Sequence, residues 1–247
     1  MLRQQLHHRH TGVSPGFRPR GTEVTRIEGF SDAVLGFALT LLVVSLEVPR
    51  TFHDLMQTMR GFVPFAICFV LLMQIWFKHY GFFRRYGLQD TPTRLLNAVL
   101  LFIVLFYVYP LKYLWSHLIS ASGRLNVDPS EGQTLMVIYG LGGAAVFSIF
   151  VLLHRHAWQL RDELELNELE RYDTRASIRE NALLAAVPLL SVLLAWILPP
   201  RFLSLAGGVY FLYGPLMTWN GMREGRGRHR LEEAAQTMPP EKRGSEE

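Results

Sequence analysis

Asp32 carries an ionisable carboxyl inside an apolar run, with the hydroxyl of Ser31 beside it. The run is Arg26-Ile27-Glu28-Gly29-Phe30-Ser31-Asp32-Ala33-Val34-Leu35-Gly36-Phe37-Ala38-Leu39-Thr40-Leu41-Leu42-Val43-Val44, and it continues to Val48. As a helix, it is long enough to cross a bilayer core. A charge at that depth costs about 2.5–3.5 kcal/mol on insertion scales. A chain keeps such a group by pairing it, solvating it or using it. Asp32 could therefore be an ion ligand, a proton carrier or a polar anchor between helices. We read it first as an anchor, buried among helices, with Arg26, Ser31, His79 and Asn97 as its candidate partners. His79 and Asn97 fall near the ends of the next two apolar segments, at one membrane depth with Arg26 and Asp32.

The same segment carries a second pattern. At about 100° per residue, Arg26, Phe30, Ala33, Phe37, Thr40, Leu41, Val44 and Val48 fall within about 60° of Phe37. Asp32 lies about 140° from that line, and Ser31 about 120° away on the other flank. One face can line something shared between copies, while the other can bond to neighbouring helices. Thr40 is the only hydroxyl in the Phe37–Val44 zone of the stripe, so it is the natural contact for an ion or a water. Glu47, beyond the far end, could concentrate cations.

These residues need elements to hold them, and the chain supplies apolar ones. Six segments approach the roughly 20 residues a spanning helix needs: 26–48, 58–77, 95–117, 133–153, 181–198 and 202–219. They form one membrane region, 26–219, between a basic tail (1–25) and a polar tail (220–247). Of the 25 Lys and Arg, all but Arg50, Arg60, Lys112, Arg124 and Arg201 lie in the two tails, at Arg26 where the first span begins, or in the connectors joining the second span to the third and the fourth to the fifth. By the positive-inside rule both termini face the cytoplasm of a cell (inner) membrane protein that crosses several times. No cleaved leader is expected, because residues 1–25 hold no apolar core run. The sequence pI of about 9.4 is thus explained by topology and anionic lipid, not by a nucleic-acid partner.

The connector at about 155–179 is rich in Asp, Glu and Arg, and we expect a solvated cytoplasmic extension of the fourth helix. Gly140, Ala144 and Ser148 repeat every four residues, a small-residue face that lets helices approach closely. Cys68 is the only cysteine, so neither an intrachain disulfide nor a cysteine metal site is expected. His154 and His156 point to different sides of a helix and make a poor metal pair.

The string Arg26-Ile27-Glu28-Gly29-Phe30-Ser31-Asp32-Ala33-Val34, with Thr40-Leu41-Leu42 and Glu47-Val48-Pro49, resembles the signature of the bacterial branch of the lysosomal potassium channel family, transmembrane protein 175. Trp76-x-x-His79, Asn97 and Pro110 are looser matches, and the similarity spans 26–219. The resemblance implies an all-α subunit of six transmembrane helices, assembled as a homotetramer whose first helices line a central pore. It implies potassium as the permeant ion, rings of Phe37, of Thr40 and Leu41, and of Val44 as constriction and filter, and no cofactor. Arg26, Ser31, Asp32, Trp76, His79 and Asn97 would form a polar network supporting the pore helix. The narrowest ring of that family is usually Ile or Leu. Here it is Phe37, whose ring needs more room and can attract a cation.

Two other classes remain open on the residues alone. A proton-coupled transporter could relay protons through Asp32 and His79. A membrane enzyme could use Asp32, His79 and Glu28 for acid–base work, but no HExxH, GxSxG or phosphate-cradling loop is present.

Overall fold

A computed structural model of the chain describes residues 17–44, 50–60, 62–120, 129–199 and 203–237. Every regular element among them is helical: α1 (Arg26–Val44), α2 (Phe52–Arg60), α3 (Phe62–Tyr86), α4 (Thr91–Ser120), α5 (Pro129–Gln159), α6 (Glu168–Ile197), α7 (Leu203–Gly208), a 3-10 turn (Val209–Leu212) and α8 (Tyr213–Thr237).

Local chemistry explains where these helices start. Thr25 and Glu28 form a capping box. The Thr25 backbone N–H donates to Glu28 Oε2 at 2.8 Å, and the Glu28 N–H donates to Thr25 Oγ1 at 3.2 Å. This satisfies two amides that the first turn leaves without helical acceptors. Thr51 and Asp54 reciprocate in the same way ahead of α2. Asn167 and Glu170 form a third box, which opens α6. The third box also changes the reading of the connector, which is not a solvated extension of α5. The chain turns after Gln159, places Glu165 at a φ of 48°, and re-enters as α6. Glu170, Asp173, Thr174, Ser177 and Asn181 of the returning helix are buried.

Among the described residues, four helices are long and apolar enough to cross a membrane: Phe62–Tyr86, Thr91–Leu111, Glu131–Gln159 and Glu168–Ile197. The segment expected at 202–219 is broken into α7, the 3-10 turn and the start of α8. Gly207 and Gly208 weaken the helix there, and Pro215, which lacks an N–H, fits only the first turn of a new one. The polar stretch after residue 219 continues as α8 and packs on α6. Arg228 Nη1 donates to Asp173 Oδ2 at 2.8 Å, and Arg179 Nε donates to Asn220 Oδ1 at 2.8 Å.

The core lies among α1, α3, α4 and α5, around Leu35, Ala38, Leu42, Leu72, Leu100, Val104, Phe150 and Leu153. α5 and α6 pair as a close hairpin. A Cβ on Gly140 would sit 2.9 Å from the Pro188 carbonyl, and one on Gly142 would sit 2.2 Å from the Tyr107 ring. In lipid, where the hydrophobic effect does not drive helices together, such close backbone approach supplies the dispersion contacts that do. Pro188 also leaves the Leu184 carbonyl without its helical donor, and the Tyr213 hydroxyl donates to it at 2.8 Å.

Candidate functional site

α1 has two unlike faces. Ser31, Leu35, Ala38 and Leu42 are buried against α3 and α4. On the other side Arg26, Phe30, Ala33, Phe37, Thr40 and Leu41 are exposed, Phe30 by 65% and Phe37 by 68%. Helical arithmetic put these residues on one stripe, and none of the other described residues covers it. Val44 ends the described part of α1, and its side chain, like Glu47 and Val48, lies outside the described residues.

Thr40 Oγ1 donates to the Phe37 carbonyl at 2.8 Å. Its proton is therefore spent on its own helix, and the oxygen's lone pairs remain available on the open face. A cation passing that face would meet an acceptor.

Behind the stripe, polar side chains join the helices. Asn97 Nδ2 donates to Ser31 Oγ at 2.9 Å, and Ser31 Oγ donates to the Ile27 carbonyl at 2.8 Å. His79 Nε2 lies 2.8 Å from Asn97 Oδ1. The amide donates toward Ser31, so its oxygen must accept, and His79 carries its proton on Nε2. The relay runs one way, from α3 through α4 to α1, and all three side chains are buried.

Asp32 does not belong to this relay. It is exposed in the chain rather than buried among its helices, and among the described residues its hydrogen-bond partner is none of Arg26, Ser31, His79 or Asn97. The Trp76 Nε1–H donates to Asp32 Oδ1 at 2.8 Å. The reason is the helix period: Ser31 and Asp32 are about 100° apart, so if Ser31 enters the core Asp32 must lie on the flank. Trp76 stacks on Tyr80 with centroids 5.6 Å apart. Arg26 sits on the open stripe and has no partner among the described residues. The six network residues thus divide into a buried trio (Ser31, His79, Asn97), a pair at the flank (exposed Asp32 on half-buried Trp76) and Arg26. Asp32 and His79 share no hydrogen bond.

Sequence reasoning missed the polar cluster where the connector returns. Glu170 accepts from Arg20 Nη2 at 2.8 Å and from the Arg18 backbone N–H at 2.8 Å. Tyr86 Oη and Thr174 Oγ1 are 2.8 Å apart, and Lys78 Nζ lies 2.9 Å from Glu180. The readable signal was Asn167-x-x-Glu170, a capping box that marks a helix start inside a charged run. Between the α3 and α4 spans, Asp90 Oδ2 lies 2.5 Å from His156 Nε2, and Thr93 donates to the other Asp90 oxygen. Burial pushes the Asp90 carboxyl up, but the hydrogen bonds from Thr93 and His156 outweigh it and hold the group below its usual range.

Among the described residues every regular element is helical and four helices are of membrane length, joined by buried polar side chains, which makes this a multi-pass membrane protein. Residues 26–107 match the family model described as the endosomal/lysosomal potassium channel TMEM175. A potassium channel of Marivirga tractuosa is 46% identical over 221 residues, covering 83% of this chain and 90% of that one. The chain therefore belongs to the TMEM175 potassium channel family. A potassium channel of Chamaesiphon minutus is 26% identical over 172 residues, 66% of this chain and 79% of that one. Among solved structures, a variant of the potassium channel MtTMEM175, bound to a nanobody–MBP fusion protein, superposes with a TM-score of 0.79. It is 43% identical, covering 86% of this chain and 98% of that one. A lysosomal potassium-selective channel TMEM175 homologue from Chamaesiphon minutus shares the fold, with a TM-score of 0.54, 23% identity, and coverage of 81% and 96%.

Proposed function

We propose that copies of this chain assemble, as a homotetramer, into a potassium channel whose pore is lined by α1. The observation that carries this reading is the two-faced character of α1. One face is buried on α3 and α4, and the opposite stripe, Phe30, Phe37, Thr40 and Leu41, is left open. The names of the relatives as potassium channels support it. Six spans per subunit, with α1 as the first and the α7–α8 segment as the last, put both termini in the cytoplasm. The membrane region is 26–219, between a basic tail and a polar tail.

In such an assembly Phe37, then Thr40 and Leu41, then Val44 form successive rings. An ion in that zone meets few oxygens and must shed part of its hydration shell. Potassium holds water less tightly than sodium, so a narrow apolar ring favours it, and the same ring can close by dewetting. The Thr40 hydroxyl oxygens, their protons already committed, offer acceptors midway. No step in this mechanism makes or breaks a covalent bond or calls on a cofactor. Arg26 and Asp32, exposed in the single chain, meet neighbouring subunits.

The test is ion flux in proteoliposomes with opposed potassium and sodium gradients. Phe37→Ala is expected to raise cation flux and reduce potassium preference. Unchanged flux would remove Phe37 from the constriction. Substrate-coupled or proton-coupled uptake in place of passive flux would favour the transporter reading.

A further inference from the structure

The segment just ahead of α1 is built into the body of the protein. Phe17 is buried, and its ring meets Tyr86 edge-on with centroids 5.7 Å apart. The guanidinium groups of Arg20 and Arg85 lie over that ring at 5.8 and 5.6 Å. Gly21 runs along the end of α3: its N–H donates to the Arg84 carbonyl at 3.2 Å, and Arg84 Nη1 donates back to the Gly21 carbonyl at 2.6 Å. A Cβ at Gly21 would sit 2.4 Å from the Phe83 carbonyl oxygen, so only glycine allows this approach. The far end is latched to the α5–α6 turn. Glu170 has a fully buried side chain and takes Arg20 across both oxygens, at 2.8 and 3.2 Å, plus the Arg18 N–H. Arg20 Nε also donates to the Leu164 carbonyl at 2.8 Å.

Only residues 22–24 separate this strap from Thr25, which caps α1. α1 rests on α3 and α4, and the α5–α6 hairpin packs on α4. The strap is thus a short, hydrogen-bonded tie between the cytoplasmic end of α1 and the hairpin. The open stripe of α1 faces away from its packed side, and the tie fastens that end of the helix to α3, on which its buried face packs, and to the hairpin.

We propose that the strap Phe17–Gly21 sets the position of the cytoplasmic end of α1, and that Arg20 and Glu170 are positioning residues for ion passage. Releasing the latch lets the α1 ends move toward the axis and shortens the open state, while the rings themselves stay intact. The flux arm rests on the channel reading; the structural arm does not.

The test uses the full chain carrying Arg20→Gln, Glu170→Gln or Phe17→Ala, with Arg20→Lys as the conservative control. Hydrogen exchange in nanodiscs is expected to rise not only in residues 17–25 but also through the first turns of α1, Arg26–Ser31. Single-channel recording is expected to show open probability falling several-fold, with unit conductance and potassium preference as in the parent, and Arg20→Lys recovering most of it. Phe17→Ala removes the anchor without leaving a buried charge, so it serves if the charge variants do not fold. Added exchange confined to residues 17–25, with α1 still protected, would overturn the proposal. So would parental open probability in a channel whose strap is released. If the parent chain passes no potassium, the channel reading fails, and the exchange arm alone decides whether the strap positions α1.

Discussion

Asn97 is the hinge of the buried relay, and replacing it with leucine is a sharp test of how that relay holds α1. Leucine keeps the branched shape of asparagine with the same number of heavy atoms, so the change removes polarity without leaving a cavity. Two interhelical bonds are lost at once: His79 Nε2 to Asn97 Oδ1 at 2.8 Å, and Asn97 Nδ2 to Ser31 Oγ at 2.9 Å. Interhelical bonds of this kind average about 0.6 kcal/mol in a membrane, with a ceiling near 1.7. Two of them give a loss of about 1–3 kcal/mol. Ser31 keeps its bond to the Ile27 carbonyl, so the larger share falls on His79, whose buried N–H is left with no acceptor in the relay. Reversible unfolding in bicelles by steric trapping measures this directly. A double-mutant cycle of Ser31→Ala with Asn97→Leu isolates the Asn97–Ser31 bond, with an expected coupling of about 0.6 kcal/mol. Zero coupling, or an Asn97→Leu chain as stable as the parent, would refute the relay as a tie between α1 and its neighbours.

Asp32→Ala is expected to lower the yield of the oligomer in detergent more than it changes ion preference. Size-exclusion profiles set beside flux ratios decide this, and normal assembly with altered selectivity would move Asp32 from anchor to ion contact. Gly142→Ala places a Cβ 2.2 Å from the Tyr107 ring and should cost about 1–3 kcal/mol as overpacking, read as a lower melting temperature. The depressed carboxyl of Asp90 contributes stability that is fully present above its usual value of 3.8 and is lost as pH falls through its folded value. Asp90→Asn should therefore melt lower than the parent near neutral pH, and the gap should close in acid. A gap independent of pH would show that the charge is not what matters.

Much of the site could be read before folding. The 3.6-residue period alone separates Phe30, Phe37, Thr40 and Leu41 from Ser31, Leu35, Ala38 and Leu42, because a helix fixes the angular relation of its residues wherever it is placed. The same period put Asp32 and Ser31 on different flanks. It could not say which flank would be filled. Burial belongs to the neighbours a helix acquires, and those are set by α3 and α4 arriving from elsewhere in the chain. Hence Asp32, expected among helices, lies open beside Trp76, and Ser31 takes the core position.

Local chemistry was legible wherever it acts within four residues. Thr25-x-x-Glu28, Thr51-x-x-Asp54 and Asn167-x-x-Glu170 each announce a helix start, and each forms. Charge density misleads over longer reach. The connector's acids and arginines read as a solvated face, yet Glu170 is buried because Arg20, 150 residues earlier, supplies the opposite charge and the donors. A sequence determines its own periodicities, its caps and the apolar lengths that commit it to a membrane, since these are interactions between near neighbours. Only the tertiary structure decides which polar groups meet across the chain, because desolvating a charge is tolerable only where a partner has been brought to within hydrogen-bonding distance.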